Sequence, residues 1–451
     1  MTPERVEEKV RETLHAVALD RVRAPGDLAE QVVRRRARRR LAQATGAAVA
    51  VAAITVGAVF GLGGGAPVDP DRPVRPAVAP QGWKPWQRDD PDAVDRGCLV
   101  DGAALYCAGS EYDVAKFDAR TGERLWTVEV NREGDGPDHP FAVRDGVVYA
   151  FRNHTAQKQP NGDYVGGTDL MAVGADTGEL LWKVEMPQDD RSDQAAMLID
   201  GAVLANTPTL RTMSALDPLT GEEKWRHTWD KGIACGRTVL GGVPYLVCVK
   251  DIDEPGETEV FRLDPATGQA RKVATVPGAQ LPAGISGDRM VLFAPKDRAG
   301  GKMPVTLLSG SGERTSLSYP IEGELAALDV AGDRLISVSW KGEASAYSLT
   351  TGDVLWTAPV GVEMPDRNTM PSFTPPLVSE RQHVVYFLGP YGDLSGLDLR
   401  TGHEVWRDHV DDGKEAPRPP YQPSPQLLSY QDVLIVQDGG RITSLLPRLG
   451  D

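Results

Sequence analysis

The chain is poor in the side chains that most often carry chemistry. Its seven histidines, His15, His139, His154, His227, His383, His403 and His409, show no H-x-x-x-H or comparable ligand spacing. The pattern therefore offers no zinc site, and each histidine reads as a loop or surface residue. The four cysteines include no adjacent pair. No glycine-rich phosphate loop, nucleophile elbow or cysteine-histidine pairing is recognisable, which leaves nucleotide and acyl-transfer chemistry without a candidate. One acidic stretch, KDIDEPGETE at residues 250–259, suggests calcium. Proline stands where a fifth ligand would sit in an EF-type loop, and Arg262 holds the twelfth place, so a solvated acidic loop is the expectation. No catalytic, metal or cofactor-binding residue is assigned.

Charge is missing altogether from residues 41–68. Within them, LAQATGAAVAVAAITVGAVFGL at 41–62 has 22 residues, and a helix of about 20 spans the hydrocarbon core. RRRARRR precedes it at 34–40, and few basic residues follow, so the positive-inside bias puts the N-terminus in the cytoplasm and the bulk of the chain outside. A cleaved signal peptide is the alternative, but a 40-residue leader and the lack of a convincing A-x-A site argue against it. Gly57 and Gly61 make a G-x-x-x-G pair, which chance explains in so Ala/Gly-rich a segment. The expected organisation is a basic cytoplasmic leader with short helices at 1–40, a transmembrane helix at 41–64, a Pro/Gly-rich linker at 65–81 and one large domain at 82–448. Residues 66–82 read as a polyproline-rich spacer of 17 residues, reaching on the order of 50 Å at ~3.1 Å per residue. The implied location is the plasma membrane, single-pass, with the domain extracytoplasmic. Residues 1–40 hold 11 Lys/Arg against 7 Asp/Glu, so of the formal charge of -15 the remainder carries -19. Such a domain repels phosphate, which excludes nucleic acid as a partner.

What the sequence has in abundance is turns, with 48 glycines and 35 prolines, and one turn recurs. RTGERLWTVEV at residue 120 returns as DTGELLWKVEM at 176, LTGEEKWRHTW at 219, TTGDVLWTAPV at 350 and RTGHEVWRDHV at 400. Two copies, ATGQARKVATV at 266 and GSGERTSLSYP at 310, keep the turn and lose the tryptophan. The turn glycines Gly122, Gly178, Gly221, Gly268, Gly312, Gly352 and Gly402 lie 40 to 56 residues apart. Alternating apolar segments and tight turns mean antiparallel strands, four per unit, and units of this length suggest propeller blades. Trp126, Trp182, Trp225, Trp356 and Trp406 are then structural. Each indole, burying on the order of 200 Å², can wedge its blade against a neighbour. Gln426 to Pro447 matches the first three strands of a further unit, and GWKPWQRDD at 82, with Trp83 and Trp86, offers a fourth. Sharing one blade between the two ends would close the ring and remove both edges. Residues 82–447 allow about 46 residues for each of eight blades, so the expected fold is all-β, an eight-bladed propeller, with seven blades as the fallback.

Cys235 and Cys248 are equidistant from Gly241-Gly242, and counting outward from a two-residue turn puts them at a non-hydrogen-bonded site, where Cα atoms lie ~4.5 Å apart. Cys98 and Cys107 face each other similarly across residues 101–104. Two local disulfides are expected in an exported domain.

The A-L-D-x-x-T-G-E-x-L-W repeat resembles that of the pyrroloquinoline-quinone (PQQ) quinoprotein-like propeller superfamily over essentially all of residues 82–448. The resemblance implies one of three relatives: a quinone-dependent alcohol dehydrogenase, an outer-membrane assembly scaffold, or an exported domain that binds no quinone. The dehydrogenases have a disulfide between neighbouring cysteines and a Glu/Asn/Asp calcium set. The cysteines here cannot form the first, and no residues match the second. The resemblance is therefore to a non-catalytic, membrane-anchored member.

Topology points to a surface. In a four-stranded blade, the first-to-second and third-to-fourth turns share one face of the disc, and here they are uniformly tight. The second-to-third loops and the interblade connections share the other face, with long segments at 131–140, 153–168, 187–195, 250–259, 295–304, 361–371 and 410–424. Loops beyond the structural minimum are where binding usually resides. The expected partner is an envelope protein, peptide or cell-wall component on that face, bound by a scaffold or by the outer half of a sensor. The alternative is a PQQ- or metal-dependent enzyme with its site in the central channel. Deleting residues 82–90 is expected to lower the melting transition by removing the shared strand, and an unchanged transition in differential scanning calorimetry would refute shared closure.

Overall fold

The computed structural model describes residues 73–94, 96–129, 140–153, 157–158, 164–165, 168–187, 196–250, 256–295, 301–321, 324–365, 373–410 and 425–449. The leader at 1–40 and the apolar segment at 41–64 lie outside them. Among the described residues no helix is long and apolar enough to cross a membrane.

The domain is an eight-bladed propeller, with eight four-stranded antiparallel sheets in chain order. Blade 1 is Gly97–Asp101, Ala104–Ala108, Tyr112–Asp118 and Arg124–Glu129. Blades 2 to 7 follow at 142–186, 196–228, 234–277, 281–319, 325–359 and 377–409. Blade 8 takes three strands from the C-terminal end, Gln426–Tyr430, Val433–Asp438 and Arg441–Leu445, and its fourth from Trp86–Asp89. Trp86 pairs with Ser444 and Asp89 with Arg441, so the N-terminal segment closes the ring. The first strands of neighbouring blades approach one another and surround the axis. Buried side chains form clusters that bridge successive blades, such as Leu281, Phe293 and Tyr319 of blade 5 with Leu328 and Leu335 of blade 6. Both disulfides are formed within a blade between its first two strands, each with Cα atoms 4.0 Å apart.

The repeated turn shows why it carries both a glycine and a tryptophan. Gly178, Gly221, Gly268 and Gly402 sit at φ of about +70°, open to glycine at no steric cost. Against each lies the indole of the preceding blade: Trp126 on Gly178, Trp182 on Gly221, Trp225 on Gly268 and Trp356 on Gly402. A methyl at Gly221 would come within 2.8 Å of the Trp182 ring. Each indole N–H also donates to the carbonyl three residues before that glycine. The acceptors are Ala175 at 3.2 Å, Pro218 at 2.9 Å, Pro265 at 2.7 Å and Leu399 at 2.9 Å. A buried ring with its single donor satisfied combines apolar burial with orientation. Trp86 continues the series across the closure, lying on Gly122 and donating to Ala119 at 3.1 Å. Trp83 donates to the Ser444 hydroxyl at 2.7 Å.

Where the tryptophan is lost, other groups meet the turn. The Val273 carbonyl of blade 4 lies against Gly312, and Leu317 of blade 5 lies against Gly352. Tyr319 donates its hydroxyl to Ser348 at 2.8 Å. Trp406 has no such turn ahead of it, because the fourth strand of blade 8 comes from Trp86–Asp89 and no third-to-fourth turn joins it to Arg441–Leu445. It packs instead with Leu427, Leu434 and Val436, and meets Tyr386 edge-on at 5.8 Å.

One expectation is corrected. Residues 73–82 are not a free spacer but run across the turn face of blades 7 and 8. The Arg75 amide donates to the Gln382 carbonyl at 3.0 Å, and the Val78 amide to the Asp432 carboxylate at 2.9 Å. Pro80 is buried, and Val74 packs beside the Trp406 cluster. A segment with three prolines has little backbone entropy to lose, which favours docking over extension into water.

Trp225→Ala should destabilise the domain by about 3–5 kcal/mol, the usual cost of emptying such a site. Urea unfolding would read this as a lower midpoint at unchanged slope, and a loss below 1 kcal/mol would show that the indole does not hold the blades.

Candidate functional site

Every long segment of the elaborated face lies at least partly outside the described residues, 411–424 and 188–195 wholly so. The described part of that face contains a crevice of about 790 Å³ between blades 3 and 4. It is bounded by the connection between these blades, residues 229–233, and by Lys250 and Gly256 at the ends of the second-to-third loop of blade 4. Its apolar surface comes from Trp229, Ile233, Leu246 and Phe261, and Cys248 brings the Cys235–Cys248 disulfide into its wall. A cavity of this size, mostly apolar with a few polar groups, is the common form of a binding site.

The repeat explains why this crevice opens here. Eight residues after the turn glycine, four other blades place a buried aliphatic side chain that shuts the gap to the next blade: Met186, Val276, Val360 and Val410. In blade 3 that position is Trp229, which is only half-buried. Its backbone is clamped, since Trp229 N–H donates to the Arg211 carbonyl at 3.0 Å and the Arg211 guanidinium donates to the Trp229 carbonyl at 3.3 Å. Two residues earlier, where blades 1, 2, 4 and 6 have Val128, Val184, Ala274 and Ala358, blade 3 has His227. Burial holds this imidazole below the usual histidine range and so favours its neutral form. Glu257, Glu259, Lys231 and Lys250 also line the crevice, and Glu259 pairs with Lys272 at 2.8 Å.

The other histidines are dispersed. His383 lies in a turn of blade 7 at φ 59°, as expected of a loop residue, but is buried, and its carbonyl accepts from Leu399 N–H. His227 departs from the loop-or-surface expectation, being in an outer strand and half-buried. His403 lies in the blade 7 turn, its amide donating to Thr401, and His409 pairs with Asp393 at 3.0 Å. His15, His139 and His154, and the acidic residues 251–255, lie outside the described residues. Among the described residues, no group of three or more His, Cys, Asp or Glu side chains is placed to hold a metal ion.

Sequence reasoning passed over Trp229, His227 and Phe261. Their signal is a departure from the repeat rather than a motif of its own. It also missed the second-strand tyrosines Tyr106, Tyr149 and Tyr386, which lie 5.8 to 6.1 Å from Trp126, Trp182 and Trp406. Asp329 was missed too. This 4 % exposed carboxylate on the first strand of blade 6 stands opposite Ile336. Burial pushes it up to about 7, against a partly compensating hydrogen bond from the Val330 amide at 2.7 Å.

The fold is that of a PQQ-like repeat propeller, with a crevice between blades 3 and 4. The family model described as outer membrane protein assembly factor BamB matches residues 110–291, 257–420 and 313–451, and the chain belongs to that family. It is 24% identical to outer membrane protein assembly factor BamB of Burkholderia pseudomallei over 301 residues, covering 63% of this chain and 69% of the relative. Among solved structures, the computationally designed Ika8 protein is 14% identical with a TM-score of 0.51, covering 80% of this chain and 98% of its own, a likeness of fold alone. BamB from Moraxella catarrhalis is 16% identical with a TM-score of 0.49, at the same coverage of 80% and 98%.

The raised Asp329 value implies a pH dependence. A carboxyl that is harder to ionise folded than unfolded contributes stability below pH 3.8, and this is lost as pH rises through about 7. Asp329→Asn should therefore gain melting temperature over the parent progressively between about pH 4 and 7, with the gain levelling off above that. A constant difference across that range would refute the assignment.

Proposed function

We propose that this chain is a non-enzymatic binding module of the cell envelope, anchored by residues 41–64, with its propeller extracytoplasmic. The partner is a protein segment or peptide that docks on the long-loop face at the crevice between blades 3 and 4. The observation that carries this reading is the crevice itself. A repeat that in four other blades shuts the gap with a buried aliphatic side chain here leaves half-buried Trp229 and Phe261 beside a crevice of about 790 Å³. Family membership supports a scaffold role, since the matched model and the curated relative are both named as assembly factors. A buried aromatic anchor ringed by mixed charges is the usual composition of an interface hot spot.

Sequence and structure support a scaffold more directly than a sensor. A sensor additionally needs a cytoplasmic partner for residues 1–40, which a pull-down with that segment would reveal. Turnover of an alcohol with the purified domain, the quinone and calcium would overturn the non-enzymatic reading.

Crosslinking of the full chain in its native envelope, followed by mass spectrometry, should give partner crosslinks concentrated at Lys231 and Lys250. Trp229→Ala combined with Phe261→Ala should reduce them at least tenfold, each truncation removing on the order of 1–2 kcal/mol of binding. Unchanged yields in a variant with the parent melting temperature would refute the crevice as the docking site.

A further inference from the structure

The two disulfides occupy the same place in their blades and differ in what covers them. Each joins the first strand to the second one pair from the long-loop end of the ladder, Cys98–Cys107 beside Gly97 and Ala108, and Cys235–Cys248 beside Ala234 and Val249. Each also faces the preceding blade. Cys98 and Cys107 cluster with Leu428 and Ile435 of blade 8, and Cys235 and Cys248 with Leu204 and Met213 of blade 3.

In blade 1 the connection from the preceding blade seals the bridge. Its short helix, Pro91–Val94, buries Ala93 and Val94 in the same cluster as both cysteines, and a methyl at Gly109 would come within 2.4 Å of the Ala93 backbone. The Asp92 carbonyl accepts from Glu111 N–H at 2.9 Å and the Val94 carbonyl from Gln437 Nε2 at 2.7 Å, which fixes this cover. Cys98 and Cys107 are 1 % and 0 % exposed. In blade 4 the corresponding connection, residues 229–233, instead forms one bank of the crevice. Cys248 lines that crevice, and Cys235 is partly exposed. The bridge also ties the two banks together, since residues 229–233 run directly into the Cys235 strand and Lys250 follows the Cys248 strand.

We propose that Cys235–Cys248 is a thiol–disulfide exchange site entered through the crevice, its substrate an external dithiol, and that Cys98–Cys107 is a sealed structural bond. A thiolate of the dithiol attacks Cys235 Sγ, the Cys235–Cys248 bond breaks, and the electron pair leaves on Cys248 Sγ, which takes a proton. The second thiolate of the dithiol then attacks its own partner sulfur in the mixed disulfide and releases Cys235, which is protonated in turn. The dithiol ends as a disulfide, two electrons and two protons having passed to the protein. Exchange depends on the access of the attacking thiolate to the sulfur, and only one of the two bridges borders an opening. Reduction unpins the banks of the crevice, so this bond sets how firmly the opening is held. Exchange requires only that opening, whatever segment docks there.

The test applies dithiothreitol to the full chain under native conditions, with near-UV circular dichroism followed in parallel. Timed samples are alkylated with iodoacetamide, and each cysteine is read by peptide mass spectrometry. Cys235 and Cys248 should be alkylated at least about tenfold faster than Cys98 and Cys107. Equal rates, no reduction of either bond, or earlier loss of Cys98–Cys107 overturns the proposal. So does reduction of Cys235–Cys248 only in step with loss of the native dichroism signal. Trp229→Ala removes a side chain that packs in the same cluster as both cysteines and lines the crevice. It should speed reduction of Cys235–Cys248 about threefold and leave Cys98–Cys107 unchanged. A folded variant with an unchanged rate refutes entry through the crevice, and where the variant does not fold, the alkylation order in the parent chain decides alone.

Discussion

The contact between an indole and a glycine turn governs this structure. A four-stranded blade with apolar faces cannot persist in water alone, and each must be covered by its neighbours. Placing Trp126 over Gly178, Trp182 over Gly221, Trp225 over Gly268 and Trp356 over Gly402 does this by one repeated geometry. The turn needs glycine twice over, for a φ near +70° and for the space that the ring occupies. The indole needs the turn because its N–H, once buried, must find an acceptor, and the carbonyl three residues before the glycine supplies it.

Ring closure uses the same contact at the point where the chain is broken. Trp86 arrives on the strand that completes blade 8, yet it lies on the Gly122 turn of blade 1 as any other indole of the series would. The N-terminal segment thus supplies backbone pairing within one blade and a docking ring for the next. Residues 73–82 extend that hold across blades 7 and 8, so the chain entering the propeller is fixed before its first strand begins.

The candidate site is a local exception to this regularity. Blade 3 keeps its tryptophan and its turn, and the departure falls four residues beyond Trp225, where Trp229 takes the place of a fully covered aliphatic side chain. Docking near the turn face is therefore preserved while the crevice opens at the opposite face. Blade docking and the candidate site thus fall at opposite ends of one outer strand, and the disulfide between Cys235 and Cys248 lies in the crevice wall.

The sequence by itself determined the architecture. Thr-Gly or Ser-Gly turns recurring every 40 to 56 residues, with period-2 strands between them, leave few alternatives to a propeller, and a three-strand remnant at Gln426 implies a strand returned from the other end. Both disulfides were legible because hairpin register follows from counting outward from a two-residue turn. Only the tertiary structure decided the rest. That an indole lies on the next blade's glycine, that residues 73–82 dock instead of extending, that Asp329 is buried and that Trp229 borders an open crevice all depend on which surfaces meet across blades. Local propensity sets turns and strands through neighbours in sequence. Burial, charge state and cavities depend on which surfaces of neighbouring strands and blades meet, which local propensity does not specify.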